Sequence, residues 1–169
     1  VGMPGLAVAE RAYQEALGYA RERIQGKAIG ATEDSPIIEH PDVRRMLMTQ
    51  KAYLAALRGM MYFNAAQMDI AQFHPDEATR TRASEVVGLL TPICKSFGTD
   101  LGSELTSLGV QVHGGMGFIE ETGAAQYYRD ARIAPIYEGT NGIQAGDLVG
   151  RKLGGDGQAV KELEADIAD

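Results

Sequence analysis

The 169 residues amount to about one domain, long enough to bury a single substantial core. A formal charge of -7 excludes the broad basic face that a nucleic-acid binder needs to neutralise phosphates, and the arginines that do cluster (Arg44, Arg45, Arg129, Arg132) have acidic neighbours. Cys94 is the only cysteine, which rules out an intrachain disulfide and a four-cysteine zinc site, and no apolar run reaches the roughly 18 residues of a membrane span.

Periodicity is helical almost everywhere. From Ala7 to Arg23 the apolar or small positions Val8, Ala12, Ala16, Leu17 and Ala20 recur at intervals of three and four, opposite a polar face that includes Glu10, Arg11, Glu15, Arg21 and Glu22. Gly26 to Pro36 is a loop by composition. A long second helix starts at Pro41-Asp42, where proline suits the first turn and the acid suits the N-terminal dipole. Its expected buried stripe is Val43, Met46, Leu47, Tyr53, Leu54, Leu57, Met60, Met61 and Ala65. His74-Pro75-Asp76 ends that helix and opens a third. The third carries Val86, Leu89, Leu90, Ile93, Phe97, Leu101, Leu105, Leu108 and Val112 on one side. Pro92 is expected to kink it or to lie near its beginning. Cys94, in the apolar run Leu89 to Phe97, is expected to be a buried, inert thiol.

Gly114, Gly115 and Gly117 stop the third helix. A shorter helical piece runs from about Gly123 to Ile133, and a last apolar stretch from Ile143 to Leu153. Residues 154–169 form a charged tail, either a peripheral helix or frayed. Valine-rich alternation is absent. The expected fold is all-α, an up-down helical bundle. The chain opens on Val1 without a signal-peptide pattern, which reads as a cut inside a longer protein. A reducing, cytoplasmic setting is expected.

Two segments do not look like bundle filler. Gln111-Val112-His113-Gly114-Gly115-Met116-Gly117-Phe118 is either a helix stop with a tight turn or bare backbone that a large ligand approaches, with Gln111 as an amide partner. Ile136-Tyr137-Glu138-Gly139-Thr140-Asn141-Gly142-Ile143-Gln144 places a carboxylate where it is either an N-terminal helix charge or a reactive group. His40, His74 and His113 lack ligand-like spacing, and no metal site is expected.

Read together, these segments resemble, in order, signatures of the acyl-CoA dehydrogenase family. Val110 to Phe118 is similar to its glutamine-glycine-glycine signature. Tyr128-Arg129-Asp130-Ala131-Arg132-Ile133 with Ile136-Tyr137-Glu138-Gly139-Thr140 is similar to a second. Gly5 to Ala12 and Tyr19 to Arg23 fit the first helix of the family's C-terminal domain, and the likeness covers residues 1–153. One departure lies after Arg23, where Ile24-Gln25-Gly26-Lys27 lacks the usual aromatic and Ala28 to Pro36 is an insertion. Pro36 to Leu47 resembles a longer bacterial branch of the family, which includes enzymes acting on long-chain or methylthio-substituted propanoyl thioesters. His40 is there either a cofactor-side residue or a structural helix-start histidine.

The resemblance implies an α-helical bundle that pairs with an N-terminal helical domain and a middle β-domain, neither represented here. It implies an FAD-dependent enzyme that oxidises the Cα–Cβ bond of an acyl-CoA thioester. Glu138 takes the α-proton and hydride passes to flavin N5. The Glu138 amide bonds the thioester carbonyl, and Gly139 lets the substrate pass. Thr140, Asn141 and Gly142 lie along the FAD of their own subunit, while Arg23, Gln111 and Gly115 reach the FAD of a neighbour. A homodimer or homotetramer follows, with electron-transfer flavoprotein as the implied acceptor. An acyl-CoA oxidase would use the same base and flavin, and a non-catalytic oligomerisation scaffold would keep only the bundle.

Overall fold

A computed structural model of the chain describes residues 1–153 and 157–168. Helix α1 (Gly2–Glu22) is joined through a loop and a 3-10 turn (Ile37–Glu39) to α2 (Pro41–Phe73), which leads into α3 (Glu77–His113). Three residues, His74 to Asp76, connect α2 to α3, and so short a link makes the two helices antiparallel. Then follow α4 (Gly115–Phe118), a 3-10 turn (Glu120–Thr122), α5 (Ala124–Ala131), α6 (Asn141–Asp147), a π-helical turn (Leu148–Lys152) and α7 (Gln158–Ala168). Among the described residues the only β-type pairing is an isolated antiparallel bridge, Ile24 with Pro36.

Local chemistry explains the boundaries. Helix α1 begins five residues before Ala7, because Pro4 falls in the first turn, where its missing N–H has no partner to lose. Pro41 opens α2 at its first position. Asp76 caps α3 by accepting from the Thr79 amide at 2.9 Å and its hydroxyl at 2.7 Å. Pro92 does not begin a helix; it sits buried inside the single span of α3. Gly114, at φ +60°, closes α3.

The core lies where α1, α2 and α3 meet. Leu6, Leu54, Leu57, Met61, Val86, Leu90, Leu101 and Leu105 form one cluster, and Ala16, Ala20, Ile37, Met46, Leu47 and Val112 a second. Between α1 and α3 the backbones nearly touch: a Cβ on Gly5 would lie 2.6 Å from the Gly98 carbonyl oxygen, and one on Gly102 3.0 Å from that of Gly5. Part of the expected core is elsewhere. Tyr53 is 44% exposed, Phe97 45%, and Ala65 is exposed too, whereas Gln50 is fully buried and donates to the Leu105 carbonyl at 2.8 Å. Helix α2 is apolar on more than one face, and α1 and α3 cover only one of them. On the outside, α7 rests against α3, with Leu163 on the first cluster and Glu162 paired to Arg82 at 3.4 Å.

Candidate active site

The segment after α5 winds through tight turns, with Ile136 and Tyr137 both donating to the Ile133 carbonyl, and then forms a loop from Pro135 to Asn141. The loop closes on itself, since the Asn141 amide donates to the Pro135 carbonyl at 3.1 Å. Glu138 stands at its turning point with φ +51°, and Gly139 follows at +84°. Glu138 is the only non-glycine residue at positive φ among those described. Such a conformation costs of order 1 kcal/mol for a residue with a Cβ, and persists only where surrounding contacts enforce it.

Glu138 does not cap the helix that follows. Thr140 does, its hydroxyl accepting from the Ile143 amide at 3.3 Å. Neither the Glu138 carboxylate nor its backbone N–H has a hydrogen-bonding partner among the described residues. The side chain is exposed at the edge of a largely apolar hollow of about 540 Å³, whose walls include Gly2, Met3, Met61, Met68 and Cys94. Burial pushes the Cys94 thiol up, which keeps it protonated and inert.

Beneath the loop is a polar group that the sequence pattern did not reveal. Lys95, only 6% exposed, donates to Asn141 Oδ1 at 2.7 Å and to the Pro135 carbonyl at 3.2 Å. Burial lowers the affinity of this ammonium for its proton, and nearby Asp100 partly restores it. Asn141 Nδ2 in turn donates to Asp100 Oδ1 at 2.7 Å, Thr99 Oγ1 at 3.0 Å and the Ser96 carbonyl at 3.2 Å. The Asn141 side chain is thus turned into α3, while Thr140 and Gly142 beside it stay exposed. The available signal was Lys95 and Thr99, four residues apart on the largely apolar, buried side of α3.

At the other end of the bundle Arg23 lies beside the end of α3, where Gln111 and Gly115 flank Val112, His113 and Gly114. Arg23 ends α1 and shares a hollow of about 380 Å³ with Tyr19, His40, His113 and Gly114. Its exposed guanidinium donates to Gln25 Oε1 at 3.2 Å. His40 ties the inserted loop down through its ring nitrogen and the Gln25 carbonyl, 2.8 Å apart, which favours its structural role. Buried His113 packs on Tyr19 and bonds the Gly109 carbonyl at 2.7 Å. Gln111 and Gly115, on either side of this helix end, are exposed.

The three glycines here separate by cause. Gly114 is required by its positive φ, and Gly117 because a Cβ would lie 2.3 Å from the Val110 carbonyl oxygen. Gly115 has neither reason; a Cβ there meets nothing within 4 Å. Gly142 is similar, its nearest neighbour being Thr140 Oγ1 at 3.8 Å. Among the described residues no three His, Cys, Asp or Glu side chains are placed so that they could hold a metal ion, and no helix is long and apolar enough to cross a membrane.

Comparison with known proteins gives a consistent picture. The family model described as acyl-CoA dehydrogenase, C-terminal domain, matches residues 1–153. The chain is 54% identical over 159 residues to a 3-methylmercaptopropionyl-CoA dehydrogenase of Ruegeria pomeroyi, covering 93% of this chain and 27% of that protein. It is 36% identical over 171 residues to a butyryl-CoA dehydrogenase of Syntrophomonas wolfei, covering 99% and 28%. The solved structure of butyryl-CoA dehydrogenase from Megasphaera elsdenii superposes with a TM-score of 0.69 at 28% identity, covering 88% of this chain and 34% of that one. The chain thus spans about a quarter of the length of the curated relatives just named. With its helical fold and both signatures in place, it belongs to the acyl-CoA dehydrogenase family, matching the C-terminal domain.

Proposed function

We propose that this chain is the helical, base-bearing part of an FAD-dependent enzyme that introduces a Cα–Cβ double bond into an acyl-CoA thioester, with Glu138 as the base. One observation carries the reading: Glu138 alone among the described non-glycine residues has left-handed backbone, at the edge of an apolar hollow and with no partner for its carboxylate.

The α-proton of a thioester is a very weak acid, so a hydrated carboxylate removes it poorly. An acyl chain laid across the hollow strips water from Glu138 and raises its affinity for a proton. The unpartnered Glu138 N–H is free to donate to the thioester carbonyl oxygen, where negative charge grows as the proton leaves. Gly139 adds no side chain at this point. FAD, when bound, supplies the acceptor for the hydride from the β-carbon.

The residues fit that cofactor. Gly115 and Gly142 present bare backbone that the fold itself does not require. Arg23 offers a guanidinium suited to a pyrophosphate. Gln111 adds an exposed amide, and Thr140, Asn141 and Gly142 border the Glu138 loop. Arg23, Gln111 and Gly115 serve the cofactor of a neighbouring subunit in a homodimer or homotetramer, and electron-transfer flavoprotein takes the electrons onward. The relative at 54% identity makes 3-methylmercaptopropionyl-CoA the first thioester to try, with butyryl-CoA beside it.

The test is anaerobic bleaching of the full-length flavoprotein. Glu138→Gln is expected to retain FAD and acyl-CoA binding while slowing flavin reduction by about 10²–10⁴-fold. Reduction at the original rate would move the base elsewhere.

A further inference from the structure

We infer that Lys95 is a positioning residue: from inside the bundle it holds both ends of the Glu138 loop and thereby sets the direction of that carboxylate. The inference rests on Glu138 being the base.

The two acceptors of Lys95 are the Pro135 carbonyl at 3.2 Å and Asn141 Oδ1 at 2.7 Å, one at each end of the loop. The same Pro135 oxygen takes the Asn141 amide, so both ends converge on one carbonyl. The Asn141 side chain has only one sensible orientation. Turned over, its NH₂ would face the Lys95 ammonium and its oxygen the Asp100 carboxylate. Asp100, Thr99 and Ser96 therefore fix Asn141, and Asn141 with Lys95 fixes the loop.

Energetics argue against Lys95 being there for stability. A buried ammonium is costly to desolvate, and its two hydrogen bonds largely offset that cost rather than add net stability. Its bonds go to loop acceptors, with no carboxylate in direct contact among the described residues. Meanwhile Glu138 and Gly139 stand at consecutive positive φ angles, which a slack loop would relax. Lys95 supplies the constraint that this backbone needs.

The experiment compares wild type, Lys95→Met, Glu138→Gln and the double variant of the full-length flavoprotein. Amide hydrogen exchange and anaerobic flavin reduction by saturating 3-methylmercaptopropionyl-CoA are measured for each. Lys95→Met is expected to speed exchange in peptides covering 135–141 while leaving α1 unchanged, and to slow reduction by about 10²-fold with little change in acyl-CoA Kd. In the Glu138→Gln background it should add less than about a twofold further loss, because the two residues act as one unit. Unchanged loop exchange, exchange raised equally throughout, or an undiminished effect in the Glu138→Gln background would each overturn the inference. If Lys95→Met does not fold, Asn141→Ala removes one half of the clamp and should give the same pattern at smaller size; its absence counts equally against it. A Glu138→Gln variant that reduces flavin normally would instead refute the base, and the exchange data would still decide whether Lys95 holds the loop.

Discussion

Neighbouring glycines in one motif have different jobs, and substitutions can separate them. At Gly117 an added methyl runs into the Val110 carbonyl oxygen, 2.3 Å away, and into His113 Cβ, 2.9 Å away. Gly117→Ala is therefore expected to destabilise the fold by about 1–3 kcal/mol, read from denaturant midpoints. Gly115 faces open space, so Gly115→Ala should change stability by less than about 0.5 kcal/mol. Its effect should appear in the full-length protein as weaker FAD binding; unchanged flavin affinity would remove Gly115 from the site. The sequence showed a glycine cluster and a carboxylate beside Gly-Thr, and so displayed the residues whose chemistry is unusual. It did not show Lys95, because one lysine in a helix resembles a solvated surface charge until tertiary packing buries it. Nor did it show that Asn141 faces inward, since an asparagine at a helix start bonds either way.

At the scale of elements, α1 and α3 add close backbone contact to the side-chain clusters that they share. A Cβ on Gly2 would lie 2.4 Å from the Cys94 carbonyl oxygen, and one on Gly5 2.6 Å from that of Gly98. Gly5→Ala should cost about 1–3 kcal/mol by forcing the helices apart. Gly18, on the same helix, meets nothing within 4 Å, so Gly18→Ala should stabilise by about 0.5–1 kcal/mol through helix propensity alone. Equal effects at the two sites in chemical denaturation would contradict the close packing. The same contact connects fold to site, because Gly2 and Cys94 also wall the hollow beside Glu138. The three long helices and most of their ends were legible from 3.6-residue periodicity and from Pro41, Asp76 and Gly114, while the start of α1 at Gly2 and the short α4 were not. The buried face was only partly legible. Periodicity marks apolar residues without saying what covers them, and so it assigned Tyr53, Ala65 and Phe97 to the core although their side chains face outward.

For the whole molecule, the decisive fact is the separation of the two residue groups. Gly2 borders the Glu138 hollow and Arg23 borders the other, so they lie at opposite ends of α1, about 30 Å apart for 21 residues. On the proposed reading, a flavin ring at Glu138 and a pyrophosphate at Arg23 would belong to different cofactors, and each cofactor would meet only part of its site on one chain. Tyr62, Phe63 and Phe73 on α2, Phe118 in α4, and Ile143 beside the Glu138 loop are exposed apolar residues. The 169-residue chain by itself is accordingly expected to bind FAD at least about a hundredfold more weakly than the full-length protein, a loss of roughly 2.7 kcal/mol. Titration of the isolated chain with FAD, followed by flavin fluorescence, measures this directly. Tight, stoichiometric binding would mean that one chain encloses a whole cofactor, which two groups at opposite ends of a helix do not permit.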